Sequence, residues 1–175
     1  MTQQAYPIRN ARPEEFEQIG KLLVQVYSQL EGFPKPEEQP AYYHMLSAIG
    51  EVTRNPGTEL LVAVSPDDRI AGVVVFFSDM QYYGSGGIAT QEKHAAGFRL
   101  LAVDPATRGQ GVGKLLTRAC IRKAKELHRA QVIIHSTKAM QVAWQMYEAL
   151  GFKRAEELDF MQGSLPVFGF RLLLT

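Results

Sequence analysis

Apolar positions along the chain follow two rhythms, a helical one and a short-strand one. Phe16, Ile19, Leu23, Val26, Tyr27 and Leu30 recur at helical spacing after Pro13, Glu14 and Glu15, a rigid and acidic start that favours a first helical turn. Gly32, Pro34 and Pro36 stop that pattern. A weaker helix is written by Tyr42, Met45, Leu46, Ile49 and Val52, closed by Asn55-Pro56-Gly57. Before both, Tyr6 to Ala11 reads as a short strand. The β-rich runs Glu59 to Ser65 and Arg69 to Phe77, joined by Pro66-Asp67-Asp68, predict an antiparallel hairpin.

Ser78 to Gly97 then has no clear period, and such long connections in compact domains tend to carry function. A strand at Phe98 to Val103 follows. After it, Val112, Leu115, Leu116, Ala119, Cys120, Ala124 and Leu127 trace one helical face, opposite Lys114, Arg118, Arg122, Lys125 and Arg129. Gln131 to Ser136 is the next strand and Ala139 to Leu150 the next helix, with Gly151 in the C′ position. A broken strand to about Leu158 and a run from Val167 to Leu174 complete the pattern. Hairpin, βα, βα, ββ predicts an α/β fold over residues 1–175: one domain, a mixed central β-sheet and helices on both faces.

Composition narrows the setting. With 175 residues, 46% hydrophobic and 21% charged, the chain buries a core without staples. Nineteen Lys and Arg against 18 Asp and Glu leave a net charge of +1, which gives no global field for nucleic acid or an anionic membrane. The longest apolar run, Ile70 to Phe77, is too short to span a bilayer, and the polar start MTQQ has no signal-peptide core, so a cytoplasmic setting is expected. The single Cys120 reads as a core thiol, and four dispersed histidines without CxxC or HxxxH spacing point to no metal.

Candidate chemistry gathers at Arg108-Gly109-Gln110-Gly111-Val112-Gly113-Lys114. A P-loop count fails: Arg108 stands where the first Gly belongs, and Leu115 where a hydroxyl would hold magnesium. A GxGxxG count from Gly109 fails at Lys114. What remains is a strand, a turn through Asp104-Pro105, and glycines that let backbone approach a ligand where a helix begins. Free N–H groups and the helix dipole there suit a pyrophosphate, although a plain structural turn also fits the spacing.

The segment Arg108 to Gly113 resembles the R/Q-x-x-G-x-G/A signature of the GNAT superfamily of N-acetyltransferases, and Leu101-Ala102-Val103-Asp104-Pro105 resembles the strand and turn before it. Ala143, Tyr147, Glu148 and Leu150-Gly151-Phe152 are similar to the family's A-xxx-YE-x-x-GF segment. The resemblance implies acetyl-CoA as co-substrate, with the amides from Arg108 to Lys114 on its pyrophosphate and the pantetheine in a gap between the strands ending at Val103 and Ser136. Backbone groups of Leu101 and Val103 would hold the pantetheine and polarise the thioester carbonyl, and Tyr147 would protonate the leaving thiolate. It implies an acetyltransferase acting on a primary amine, small molecule or peptide, by direct attack in a ternary complex.

Two departures stand out. Where many members carry a Glu on the strand or just before it, this chain has Gly97 and Arg99, so Glu92, His94, His135 or a water is left to take the amine proton. Met140 replaces a common Asn, with Thr137 and Lys138 as substitutes for its pantetheine contact. The missing carboxylate gives weight to an alternative, a catalytically silent acyl-CoA-binding regulatory module. An aminoacyl-tRNA-acetylating toxin is disfavoured by the near-neutral charge. Tyr42, Tyr43, Tyr82, Tyr83 and Phe168 suit an acceptor pocket, although scattered aromatic residues more often belong to a core or a homodimer surface.

Overall fold

The computed structural model describes residues 6–174; residues 1–5, which carry the polar MTQQ start, lie outside it. Eight strands form one sheet in the order β1 (Ile8–Asn10), β2 (Thr58–Val64), β3 (Ile70–Phe77), β4 (Ala95–Val103), β5 (Gln131–Ser136), β8 (Leu165–Leu173), β6 (Lys153–Arg154), with β7 (Phe160–Gln162) paired to β8. All pairings are antiparallel except β4 with β5.

The side chains of β2 and β3 alternate between two cores, as a sheet covered on both faces requires. Leu60, Val62, Val73 and Val75 pack with α1 (Phe16–Ser28) and α2 (Pro40–Ser47). Leu61, Ala63, Val74 and Phe76 pack with α3 (Val112–Glu126) and α4 (Gln141–Ala149). Cys120 lies fully buried in the second core, and burial pushes its thiol pKa up.

Several boundaries differ from the sequence reading. β4 begins at Ala95, three residues before the expected start, because Ala95-Ala96-Gly97 is buried without β-branched residues. Gly97 is there for close approach: a Cβ would stand 2.7 Å from the Ile133 carbonyl. The second helix ends at Ser47, and Ile49–Arg54 continues as 3-10 turns. The tail carries an additional hairpin, β7 to β8, turned at Gly163 with φ +62.

The irregularity that creates the site is in β4. Val73 pairs with Ala102 but Val75 pairs with Arg99, so β4 holds one extra residue. Leu100 takes it up at φ 63, a rare conformation for a side chain of that size, and the strand bends. The bulge also switches facing: Phe98 points to the α3 core, whereas Leu100 and Ala102 point to the α1 core. Parallel pairing with β5 is confined to Ala95–Gly97 against Gln131–Ile133, and beyond it the two strands part.

Candidate functional site

A cleft of about 860 Å³ opens where β4 and β5 separate. Its walls include Leu101 and Val103 of β4, the glycine loop, Ser136 and Thr137 after β5, and Met140, Ala143 and Tyr147 at α4. The volume is in the range of sites that hold a cofactor-sized molecule.

One wall is the start of α3. Gly111 caps the helix at φ +82 with no side-chain cap, and Leu115 N–H makes the first helical bond to the Gly111 carbonyl. The N–H groups of Val112, Gly113 and Lys114 therefore have no helical partner. Nothing lies within 4 Å of where a Cβ would stand at Gly109 or Gly111, so a ligand can reach this backbone. The first turn contains no acid but does contain Lys114, a cation at the positive end of the dipole, beside the exposed Arg108. Such an arrangement suits a bound anion and is unfavourable without one. The Gln110 side chain is the member of the motif that does not line the cleft; it accepts a hydrogen bond from Tyr6 Oη instead.

The floor is backbone. Asp104 N–H donates to the Ala71 carbonyl (2.8 Å) and Val103 stands opposite Gly72, so strand alternation turns the Val103 amide and carbonyl away from β3 into the gap. The Leu101 carbonyl accepts the Tyr27 hydroxyl at 2.9 Å, which commits one of its lone pairs. On the facing wall, Thr137 Oγ1 is buried with no hydrogen-bond partner among the described residues. An orphaned hydroxyl of this kind is costly unless a ligand meets it. Met140 Sδ accepts from the Ser136 hydroxyl (3.8 Å) and lines the same wall.

Tyr147 reaches the cleft from α4, its ring packed edge-on against Phe98 and Phe152. Burial raises its pKa, so the phenol is a proton donor and never a phenolate near neutrality. The geometry separates the candidate bases. Glu92 is paired with Arg171 at 2.8 Å, and with His94 it lines a different depression with Ser78 and Arg129, at the start of β4. The cleft meets β4 only from Phe98 onward, roughly 13 Å beyond His94 at about 3.3 Å per residue. His135 does line the cleft, but Nε2 donates to the Leu158 carbonyl (2.8 Å), which leaves Nδ1 to accept from Tyr83 Oη (2.9 Å). Burial pushes its pKa down to about 4. None of the three presents a free base inside the cleft.

Of the five aromatic residues expected at the acceptor end, Tyr42 lines the cleft. Tyr83 and Tyr43 are buried, the latter donating to the Pro34 carbonyl, Tyr82 packs against the α1-side core, and Phe168 packs on Trp144. Tyr27, Phe33 and Phe160 line the cleft with Tyr42. Tyr27 lies on the apolar face of α1, where helical periodicity cannot tell a core tyrosine from one that reaches a floor carbonyl.

Comparison with known proteins places this geometry. A sequence model of the acetyltransferase (GNAT) family matches residues 19–152. Among solved structures, the chain resembles a GNAT-family acetyltransferase of Staphylococcus aureus Mu50 at 16% identity and TM-score 0.74, over 98% of this chain and 100% of that one. It resembles the PaiA N-acetyltransferase of Thermoplasma acidophilum, solved with coenzyme A, at the same identity, TM-score and coverage. YncA of Salmonella typhimurium, solved with acetyl-CoA, aligns at 15% identity and TM-score 0.67, over 98% of this chain and 95% of that one. No curated protein matches the chain. No helix among the described residues is long and apolar enough to cross a membrane.

Proposed function

The chain belongs to the acetyltransferase (GNAT) family, and on that premise we propose that it moves the acetyl group of acetyl-CoA to a primary amine by direct attack in a ternary complex. The observation that carries this reading is convergence: the uncapped α3 terminus, the parted β4 and β5, and Tyr147 all face one cleft. Two of the three neighbours described above were solved with CoA or acetyl-CoA, which supports the choice of donor.

In this reading the amides of Gly109 and Gly111 to Lys114, with the cations of Arg108 and Lys114, hold the CoA pyrophosphate. Gln110, which does not line the cleft and whose side chain accepts from Tyr6, stays outside that set. The cleft-facing groups of Val103, the remaining capacity of Leu101 and the orphaned Thr137 hydroxyl hold the pantetheine amides, Thr137 taking the part of the Asn that Met140 replaces. A backbone N–H of the β4 bulge stabilises the oxyanion as the amine attacks the thioester carbon. Tyr147 delivers its phenolic proton to the leaving sulfur. The amine proton leaves to water at the open end of the cleft.

Mixing the protein with acetyl-CoA and a panel of primary amines, and following thiol release with mass detection of the acetylated acceptor, tests the reading. Acetylation of at least one amine class is expected. Micromolar acetyl-CoA binding with transfer to no amine or peptide would establish the silent regulatory module instead.

A further inference from the structure

The acceptor end of the cleft contains a cation with no acidic partner. Arg99, next to the β4 bulge, lines the cleft and makes no ion pair among the described residues. Its Nη1 donates to the Tyr83 carbonyl at 2.9 Å, and its guanidinium lies over the Tyr83 ring, 5.6 Å from the centroid. Its seat is built: Gly84 adopts φ +80, and a Cβ there would stand 3.0 Å from Nη1. The group is thus held at one nitrogen and one face, with the rest of its donor fork unused.

The cleft it lines is rich in apolar and aromatic side chains, among them Val26, Tyr27, Leu30, Phe33, Tyr42 and Phe160, beside the neutral polar Ser85 and Gln162. The only carboxylate among the described lining residues is Glu31, exposed at the rim. A partly desolvated guanidinium in such a cleft attracts an anion and repels a second cation. A polycationic amine is therefore disfavoured here.

We infer that the acceptor is an amine carrying a carboxylate and an apolar side chain, an apolar α-amino acid being the simplest case, with Arg99 pairing the carboxylate through its free donor edge. This deepens the acetyltransferase reading and rests on it. The same charge has a second use: an ammonium bound beside a guanidinium gives up its proton more readily, which suits a cleft whose described carboxylate, Glu31, is exposed to water and whose imidazole, His135, is hydrogen-bonded at both nitrogens. Arg99 acts here as a specificity-determining residue.

Matched pairs that differ only in the carboxylate test this: phenylalanine against phenethylamine, and leucine against isoamylamine. Thiol release would be measured with wild type, Arg99→Gln and Arg99→Lys. Wild type is expected to favour the amino acid in kcat/KM by about 10-fold or more, the size of one charge-assisted pair. Arg99→Gln should bring the ratio near one, mainly through acceptor KM, with the KM for acetyl-CoA unchanged; Arg99→Lys should restore part of it. A wild-type ratio near one, or a ratio that survives Arg99→Gln, overturns the inference.

Titrating N-acetylphenylalanine and N-acetylphenethylamine calorimetrically into the CoA-loaded protein separates the two claims. Turnover of the amines without Arg99-dependent preference leaves the acetyltransferase reading and removes the anion pocket. Arg99-dependent preference for N-acetylphenylalanine without turnover of any acceptor leaves the pocket and removes acetyl transfer. Neither turnover nor preference overturns both.

Discussion

The hydroxyl of Tyr27 on α1 donates to the main-chain carbonyl of Leu101 on β4 at 2.9 Å, across 74 positions of sequence. That bond ties the first helix to the bulged strand at the point where the cleft floor is exposed. The α1 side of the cleft and its floor are therefore joined through one phenol.

Replacing Tyr27 with Phe keeps the ring contacts with Phe33 and Tyr42 but leaves a floor carbonyl unpaired. A loss of about 1–2 kcal/mol is expected, with a lower kcat because the neighbouring bulge amides lose their fixed direction. Denaturant melting and steady-state kinetics on Tyr27→Phe check this; an unchanged midpoint would show that the bond does no structural work.

Thr137→Val has effects of opposite sign on stability and binding. The hydroxyl is buried without a partner, so an isosteric apolar side chain should raise stability by about 1 kcal/mol. Acetyl-CoA binding should weaken by several-fold, as one pantetheine contact disappears. Thermal melting with calorimetric titration reads both.

Gly113→Asp separates the loop's structural use from its binding use. Gly113 has ordinary backbone angles, and a Cβ would meet Val103 and Leu101 at 3.6 and 3.8 Å, which is normal contact. A carboxylate in the first turn favours the helix dipole, so the fold should be retained or slightly stabilised. Affinity for CoA should fall by roughly 10²-fold through charge repulsion with the pyrophosphate, about 2.7 kcal/mol. Unchanged affinity would reduce the loop to a turn.

His135 makes stability depend on pH. Its pKa is pushed down from 6.5 to about 4, first by burial, so below 6.5 the unfolded chain binds more protons than the folded one. The contribution is fully present above about pH 6.5 and is lost as pH falls through 4, amounting to roughly 3 kcal/mol at 1.36 kcal/mol per unit. Urea melts from pH 4 to 7 should show this slope in wild type and lose it in His135→Asn. Between pH 6.5 and 9 the imidazole stays neutral, so the pH profile of kcat should carry no ionisation from it.

The extent to which sequence discloses this site differs among its parts. The loop and α3 are legible because glycine placement and helical periodicity are local signals. The start of β4 is hidden because Ala95-Ala96-Gly97 carries no strand propensity, and its register is set by Gly97 lying against Ile133. The bulge is hidden too: nothing in Leu100-Leu101 announces φ 63, which the mismatch of β3 and β4 imposes. Glu92 and His94 look close to the site along the chain, but they precede β4 and line a different depression at its start. The Tyr83 to His135 bond, which fixes the imidazole tautomer, joins a loop of unclear period to a strand 52 positions later and leaves no mark in either segment.

The central claim is that the cleft transfers an acyl group, with Tyr147 as the acid for the departing thiolate. Comparing wild type with Tyr147→Phe for thiol release from acetyl-CoA, alongside calorimetric affinity for CoA, tests it most directly. The account predicts a fall in kcat of roughly 10²-fold, the lower range for a positioned general acid, with CoA affinity within about two-fold of wild type. An unchanged kcat in Tyr147→Phe would contradict it.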